Sequence, residues 1–221
     1  MYTLTTSGKT ISIFSCAGSE CPVIYLNTFS NEGQKVFESA QAAGCPPFTL
    51  VTISDLDWNH DMVPWDSPPA FKNADPCTGG ADNYLRLLTE EIIPMVEKKI
   101  AGVPCWRGIA GYSLAGLFAL YAMYRCDAFD RAASISGSLW YPHFREFAAE
   151  HEMLLRPDRI YLSLGDKEKK TRHPLLKTVQ DNTEAIAKHY RQLGIEVILE
   201  RNPGNHFDDV DFRSAKGIVS I

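Results

Sequence analysis

The 221-residue sequence has no apolar run long enough to cross a bilayer, and its N-terminus has no basic segment followed by an apolar core. A transmembrane helix needs about 20 predominantly apolar residues, and a secretory signal needs both of those N-terminal features. We therefore expect a cytoplasmic protein with no membrane partner. Low-complexity linkers and breaks in composition are also missing, which predicts a single domain over residues 1–221.

Dense basic patches are missing as well. The chain has 22 Lys and Arg against 27 Asp and Glu, a formal net charge of −5, and acids interrupt its densest basic group, Lys167, Lys169 and Lys170. Nucleic acids and anionic membrane surfaces are bound by concentrated positive charge. Neither is therefore expected as a partner.

Cysteine and histidine show no pattern typical of a disulfide framework or a metal site. The six cysteines form no C-x-x-C pair and have no regular spacing, so we expect reduced, mostly buried thiols. His60-Asp61 and His206 lack the spacing of a helical metal motif. No catalytic metal and no cofactor are expected.

What the sequence does contain is a serine between small residues, in the segment Gly111-Tyr112-Ser113-Leu114-Ala115-Gly116. A short strand-like run, 105–110, precedes it, and residues 117–124 are apolar on every face, as in a buried helix. A serine on a tight turn from strand to helix is a nucleophile elbow, in which small neighbours leave room for the turn. Ser113 is thus predicted to be the nucleophile of an acyl transfer. The alternative is that Ser113 only caps the helix.

The elbow predicts an acid after a later strand and a histidine after the last strand. The strand-like run 159–164 is followed by Asp166 and Glu168. The run 196–200 leads through turn residues to His206, at the same sheet edge as the serine. We predict His206 as the base and a carboxylate that fixes its tautomer. Glu168 is favoured for that role because its longer side chain reaches further, and Asp166 is the alternative.

Two backbone N–H groups are expected to bind the oxyanion in such a site. The first belongs to Leu114, the residue after the nucleophile, and the second to the loop after an early strand. Residues 22–26 are predicted to be that strand, and Thr28 in the following loop is predicted to be the second donor.

Tryptophans mark the predicted substrate pocket. Residues 55–80 form the longest segment without a regular pattern and contain Trp58 and Trp65. Loops of more than about 12 to 15 residues are usually functional or disordered, and tryptophans argue against disorder. We expect this segment, with Trp65, to form one wall of the pocket, and Trp140, which follows another strand, to form the facing wall. Ordinary surface packing is the alternative for each.

Repeated strand and helix patterns predict an α/β fold. Residues 2–14 have the pattern of an antiparallel hairpin, and the rest of the chain alternates strands with helices, the longer ones at about 32–43, 81–100 and 174–193. Pro94 is expected to kink the second of these helices. Such βα units predict a mostly parallel central sheet with helices on both faces.

Motifs along most of the chain carry a family resemblance. They lie at residues 22–26, 62–65, 79–85, 90–94, 111–116, 136–140, 164–168 and 205–206. Together they resemble the esterase branch of the α/β-hydrolases that includes enterochelin-esterase-like and esterase-D-like proteins, S-formylglutathione hydrolases, feruloyl esterases and mycolyltransferases. The resemblance implies the α/β-hydrolase fold, a Ser113 nucleophile and a His206 base, and it supports Glu168 as the acid. The chain departs from this pattern at one turn. Compact siderophore esterases have a Leu-Asp-Gly-like sequence there, whereas this chain has Leu26-Asn27-Thr28.

The function predicted from these features is hydrolysis of a small-molecule carboxylic ester through an acyl-enzyme on Ser113. Two alternatives use the same scaffold. One is an acyltransferase that uses the same triad with a non-water acceptor. The other is a non-catalytic binding protein, because a hydrolase fold does not guarantee activity and a misplaced oxyanion donor would leave little rate.

Overall fold

The computed structural model describes residues 1–15, 20–70 and 74–221. Its strands are β1 (Tyr2–Thr6), β2 (Lys9–Phe14), β3 (Val23–Asn27), β4 (Thr49–Ser54), β5 (Asp66–Ser67), β6 (Cys77–Thr78), β7 (Arg107–Tyr112), β8 (Arg131–Ile135), β9 (Arg159–Gly165) and β10 (Glu196–Asn202). Eight of them form one sheet in the order β1-β2-β4-β3-β7-β8-β9-β10. Strands β3 and β4 are buried along their whole length, which explains their continuous rather than alternating apolar sequences.

The sheet is antiparallel only at its N-terminal side. Strand β1 pairs with β2, and β2 with β4, in antiparallel register. All the pairs from β4 through β3, β7, β8 and β9 to β10 are parallel. The predicted N-terminal hairpin and mostly parallel sheet are confirmed. Because parallel strands end at a common edge, the loops after β3, β7, β8, β9 and β10 meet there, where open α/β sheets bind their ligands.

Helices cover both faces of the sheet, as predicted. They are α1 (Gly33–Ala42), α2 (Trp58–Asp61), α3 (Ala81–Arg86), α4 (Ile93–Glu97), α5 (Leu114–Arg125), α6 (Phe144–Glu150), α7 (Val179–Gln192) and α8 (Val210–Ser220). Helices α1 and α8 pack on one face through Val36, Ala40 and Ile218. Helices α3, α4, α5 and α7 pack on the other face. In the described ranges, no helix is long and apolar enough to span a membrane.

The helix predicted over 81–100 is divided before Pro94. Helix α3 ends at Arg86, a π-helical segment covers Leu87–Ile92, and α4 ends at Glu97. Proline has no N–H for the regular hydrogen-bond ladder, and its ring clashes with the carbonyl one turn earlier. A π segment is one of the irregularities by which helices accommodate such a disturbance. The irregularity therefore takes the form of a wider turn before the proline.

The segment 55–80 contains short regular elements, which corrects the expectation of a patternless loop. Helix α2 lies within it, and β5 pairs with β6 in a small antiparallel sheet. Nζ of Lys9 donates to Oδ2 of Asp61 at 2.5 Å, and both side chains are largely buried. This ion pair joins the segment to the N-terminal hairpin. Residues 71–73 of the segment lie outside the described residues.

The cysteines are only partly as expected. Cys45, Cys77, Cys105 and Cys126 are free thiols. Cys21 is disulfide-bonded, so the expectation of a reduced thiol is wrong for this residue, and Cys16 lies outside the described residues. Cys105 is exposed and the other three free thiols are only partly buried, so the expectation of mostly buried thiols is wrong for these four. Spacing along the chain did not reveal either feature, because both depend on where the loops lie in three dimensions.

Candidate active site

Ser113, Glu168 and His206 follow the carboxyl ends of β7, β9 and β10. In the parallel register of β9 and β10, Gly165 lies opposite Asn202, so the loops that carry Glu168 and His206 leave the sheet side by side. A side chain at position 165 would place its Cβ 2.5 Å from the carbonyl oxygen of Gly204. Glycine at this position therefore allows the two loops to approach each other.

The backbone at Ser113 has the strained geometry of a nucleophile elbow. Its φ of 58° and ψ of −121° lie in a region that residues other than glycine rarely adopt. A Cβ at Gly111 would lie 2.4 Å from the backbone of Ala115, which explains the glycine two residues before the serine. The Ser113 hydroxyl makes no capping hydrogen bond to α5. The alternative that Ser113 only caps the helix is therefore wrong.

A chain of hydrogen bonds joins the three side chains. Nδ1 of His206 lies 2.8 Å from Oε2 of Glu168, and Nε2 of His206 lies 3.0 Å from Oγ of Ser113. Oδ1 of Asp166, the alternative acid, instead accepts a hydrogen bond of 2.8 Å from the N–H of Gly204. Of the two candidate acids, Glu168 is the one that contacts the histidine, and Asp166 fixes the neighbouring loop.

The environment of Glu168 keeps its carboxylate ionised. Its side chain is 5% exposed, and burial by itself raises the pKa of a carboxyl group. The hydrogen bond and charge of His206, together with the N–H of Gly165, outweigh burial and lower the pKa of Glu168 below its ordinary value. An ionised carboxylate at this position favours the His206 tautomer with hydrogen on Nδ1, which leaves Nε2 free to accept the serine proton.

The two predicted oxyanion donors have different surroundings. The N–H of Leu114 is the first of α5 and has no intrahelical acceptor. The N–H and hydroxyl of Thr28 both bond to the carbonyl oxygen of Ile53, at 2.9 and 3.0 Å. This corrects the prediction for Thr28, because its N–H already extends the pairing of β3 with β4.

A carboxylate holds the rest of the loop after β3. The N–H groups of Phe29 and Ser30 donate to Glu32 at 3.0 and 2.9 Å. The side chain of Glu32 therefore binds the two N–H groups that follow Thr28.

Two cavities in the described part of the structure adjoin Ser113, and His206 and Phe207 line both of them. The larger has a volume of about 410 Å³ and also contacts Phe29, Trp58 and Val210. The smaller, of about 240 Å³, also contacts Ser138, Trp140, Leu176 and Val179. The arrangement offers separate spaces for the two halves of a substrate that reacts at the serine.

The two tryptophans of the predicted pocket have different positions. Trp140 lines the smaller cavity. Trp65 is not among the described residues that line either cavity. Its indole N–H donates to the carbonyl of Pro142 at 2.9 Å, and its ring packs against Tyr121 and Phe147. The prediction that Trp65 forms a pocket wall is therefore wrong. Trp58 of the same segment lines the same cavity as Ser113 instead.

The sequence profile of the family described as "Putative esterase" matches residues 14–207. The chain belongs to this esterase family. A relative from Bacillus subtilis (strain 168), the uncharacterized protein YbbA, is 28% identical over 204 residues, which cover 84% of this chain and 79% of the relative. The family resemblance predicted from the sequence motifs is confirmed.

Solved structures share the fold of this esterase-family chain. An IroE-like serine hydrolase from Shewanella oneidensis has a TM-score of 0.78 at 18% identity, covering 99% of this chain and 78% of that one. The siderophore hydrolase EstA from Aspergillus nidulans has a TM-score of 0.73 at 19% identity, covering 98% and 91%. The enterobactin esterase FES from Shigella flexneri has a TM-score of 0.67 at 21% identity, covering 96% and 54%. This likeness confirms the predicted α/β-hydrolase fold.

In this esterase-family member, a buried arginine on α8 binds the loop that carries His206. Arg213 is 1% exposed, and its guanidinium donates to the carbonyl oxygens of Asn205 at 2.8 Å and Pro203 at 2.6 Å. It also donates to the hydroxyl of Tyr112 at 3.3 Å. No local sequence pattern marks this residue, since an arginine on an amphipathic helix is usually exposed. Arg213 also lies beyond the matched residues 14–207.

Two hydroxyl groups next to the serine complete the site. Tyr112 donates to the carbonyl oxygen of His206 at 2.6 Å, and burial raises the pKa of this phenol, which keeps it protonated as a donor. Oγ of Ser138 lies 3.2 Å from Oγ of Ser113, and the N–H of Ser138 donates to the carbonyl of Ser113 at 3.0 Å.

In the described part of the chain, no group of three or more His, Cys, Asp or Glu side chains has the geometry to hold a metal ion.

Proposed function

We propose that this member of the esterase family is a serine carboxylic ester hydrolase that acts through an acyl-enzyme on Ser113. The observation that carries the proposal is the pair of hydrogen bonds, 2.8 Å from Glu168 to His206 and 3.0 Å from His206 to Ser113. Both distances are within the range for a nucleophile, its base and the group that orients the base.

In the proposed reaction, Nε2 of His206 removes the proton of Ser113 as Oγ attacks the ester carbonyl carbon. The carbonyl oxygen becomes an oxyanion, which the N–H of Leu114 and the positive end of α5 stabilise. The alcohol leaves with the proton held by His206, and the acyl group remains on Ser113. A water molecule, deprotonated by His206, then attacks the acyl-enzyme, and the acid product leaves as the proton returns to Ser113.

The two cavities support small-molecule esters as the substrate class, with the acyl and alcohol parts on either side of Ser113. Two structural neighbours are described as a siderophore hydrolase and an enterobactin esterase, both of which act on small-molecule esters.

We also propose that residues 1–221 form one domain and that the protein is cytoplasmic. Four free thiols favour the cytoplasm, where thiols stay reduced, whereas the disulfide at Cys21 is more typical of an oxidising compartment.

The test uses a chromogenic ester and a serine-directed phosphonate. Ser113→Ala is expected to fold normally and lose roughly 10³- to 10⁶-fold in kcat, and the phosphonate is expected to label Ser113 in the wild type. Ser220→Ala, the same substitution at the end of α8, serves as the matched control and should keep full activity. Full activity of Ser113→Ala, or labelling at another residue, would contradict the proposal. Added alcohol acceptors separate hydrolysis from acyl transfer, since a transferase would form a new ester.

A further inference from the structure

The larger cavity beside Ser113 is apolar and carries charge of one sign. Aromatic side chains dominate its lining, and Phe29 and Phe207 are 73% and 82% exposed at its rim. Phe29 packs edge to face against Trp58, with ring centroids 5.2 Å apart. The charged residues among its described lining, apart from His206, are Glu32 and Asp211, and no lysine or arginine is among them.

A described cation offsets the charge of these acids only in part. Nζ of Lys35 lies 3.7 Å from Oδ2 of Asp211, an exposed pair that offsets the charge of Asp211 only in part, and Glu32 forms no described ion pair. Beyond Phe29 and Trp58, a second surface pocket has Asp57 and Asp75 in its described lining and no described basic residue. A carboxylate on a substrate would therefore enter between like charges.

From this geometry we infer that the larger cavity takes the larger part of the ester, and that this part is apolar and carries no negative charge. The inference rests on the proposed function. A volume of about 410 Å³ is enough for an aromatic ring with a substituent, whereas about 240 Å³ suits a smaller group. Moving a carboxylate into an apolar cavity without a partner is costly, and the nearby carboxylates of Glu32 and Asp211 add repulsion.

The test compares three acetate esters of 2-phenylethanol that differ only in the para group: tert-butyl, trimethylammonium or carboxylate. The first two have the same shape, so their comparison isolates charge from size. We expect kcat/KM for the carboxylate ester to be at least about tenfold below that for the tert-butyl ester. This gap, the ratio of the two kcat/KM values, should become smaller with added salt. We also expect the trimethylammonium ester to be cleaved better than the carboxylate ester.

Two variants test the source of the selectivity. Asp211→Asn removes one carboxylate and the partner of Lys35, so it should narrow the gap between the tert-butyl and carboxylate esters. Glu152→Gln, the same loss of charge at an exposed residue outside both cavities, should leave the gap unchanged. A carboxylate ester with the same kcat/KM as the tert-butyl ester would overturn the inference. Equal kcat/KM values for the two charged esters, both below that for the tert-butyl ester, would also overturn it. If the wild type cleaves neither the three acetate esters nor the chromogenic ester, the proposed function itself fails.

Discussion

The guanidinium of Arg213 lies 3.8 Å from Oε1 of Glu168, although the two residues come from α8 and from the loop after β9. Both side chains are almost fully buried, at 1% and 5% exposed. The same guanidinium donates to carbonyl oxygens on both sides of Gly204, in the loop that carries His206. One buried cation therefore contacts both Glu168, the proposed acid, and the backbone of the loop that carries His206, the proposed base.

Arg213→Met is expected to lower both stability and activity. It leaves the buried carboxylate of Glu168 with one cation fewer and removes the donor from the carbonyl groups of Pro203 and Asn205. Breaking a buried ion pair costs about 3 to 5 kcal/mol in other proteins. A displaced His206 loop should lower kcat/KM by about 10²-fold. Urea unfolding and steady-state kinetics measure the two effects. Arg213→Lys keeps the charge but loses the planar guanidinium, so its stability and kcat/KM should lie between those of the wild type and Arg213→Met.

The matched control for this variant is Arg125→Met. Arg125 pairs with Asp82 on the surface, where both side chains are about half exposed, and such pairs contribute about 0 to 1 kcal/mol. A loss of stability in Arg213→Met with unchanged kcat/KM of the folded protein would limit the arginine to a structural role.

Glu168→Gln and Asp166→Asn are expected to differ sharply. The amide at position 168 keeps the shape but lets the histidine adopt the wrong tautomer, so kcat should fall by up to roughly 10⁴-fold. Asp166 contacts the backbone of Gly204 and not the histidine, so its substitution should act weakly, through the loop. The comparison uses kcat with one chromogenic ester, and the opposite ranking would transfer the role of the acid to Asp166.

Ser113→Ala and His206→Ala are expected to be non-additive. If Ser113 and His206 act as a unit, removing both should lower kcat little more than removing either one. The measurement is a double-mutant cycle in kcat. A loss in the double variant equal to the product of the two single losses would mean that the residues act independently.

The stability of the protein is expected to depend on pH through Glu168. Its folded-state pKa lies below the ordinary value, so the ionised carboxylate stabilises the fold above that value, and this stabilisation is lost as pH falls through the folded-state pKa. From about pH 5 downward, the free energy of unfolding should therefore decrease more steeply in the wild type than in Glu168→Gln. Urea unfolding at several pH values measures it, and parallel curves would contradict the expectation.

The sequence by itself determined the fold and the positions of the candidate site residues Ser113 and His206. Small residues around Ser113, an apolar helix after it, and turn residues before His206 are local features, and each depends on backbone geometry that neighbours along the chain dictate. Because parallel strands end at a common edge, placing these residues after strands was enough to predict that they meet. The hairpin, the mostly parallel sheet and the family followed from the same local patterns.

Only the tertiary structure decided which groups contact one another around that core. The distinction between Glu168 and Asp166 depends on how the loops after β9 and β10 approach each other at Gly165. Thr28 was unsuitable as a donor because a neighbouring strand already uses its N–H, and Trp65 packs into an aromatic cluster instead of the pocket. Arg213 has no local signal at all, since its partners lie on loops that are close in space through packing. Long-range contacts of this kind depend on the whole fold, which local sequence patterns do not encode.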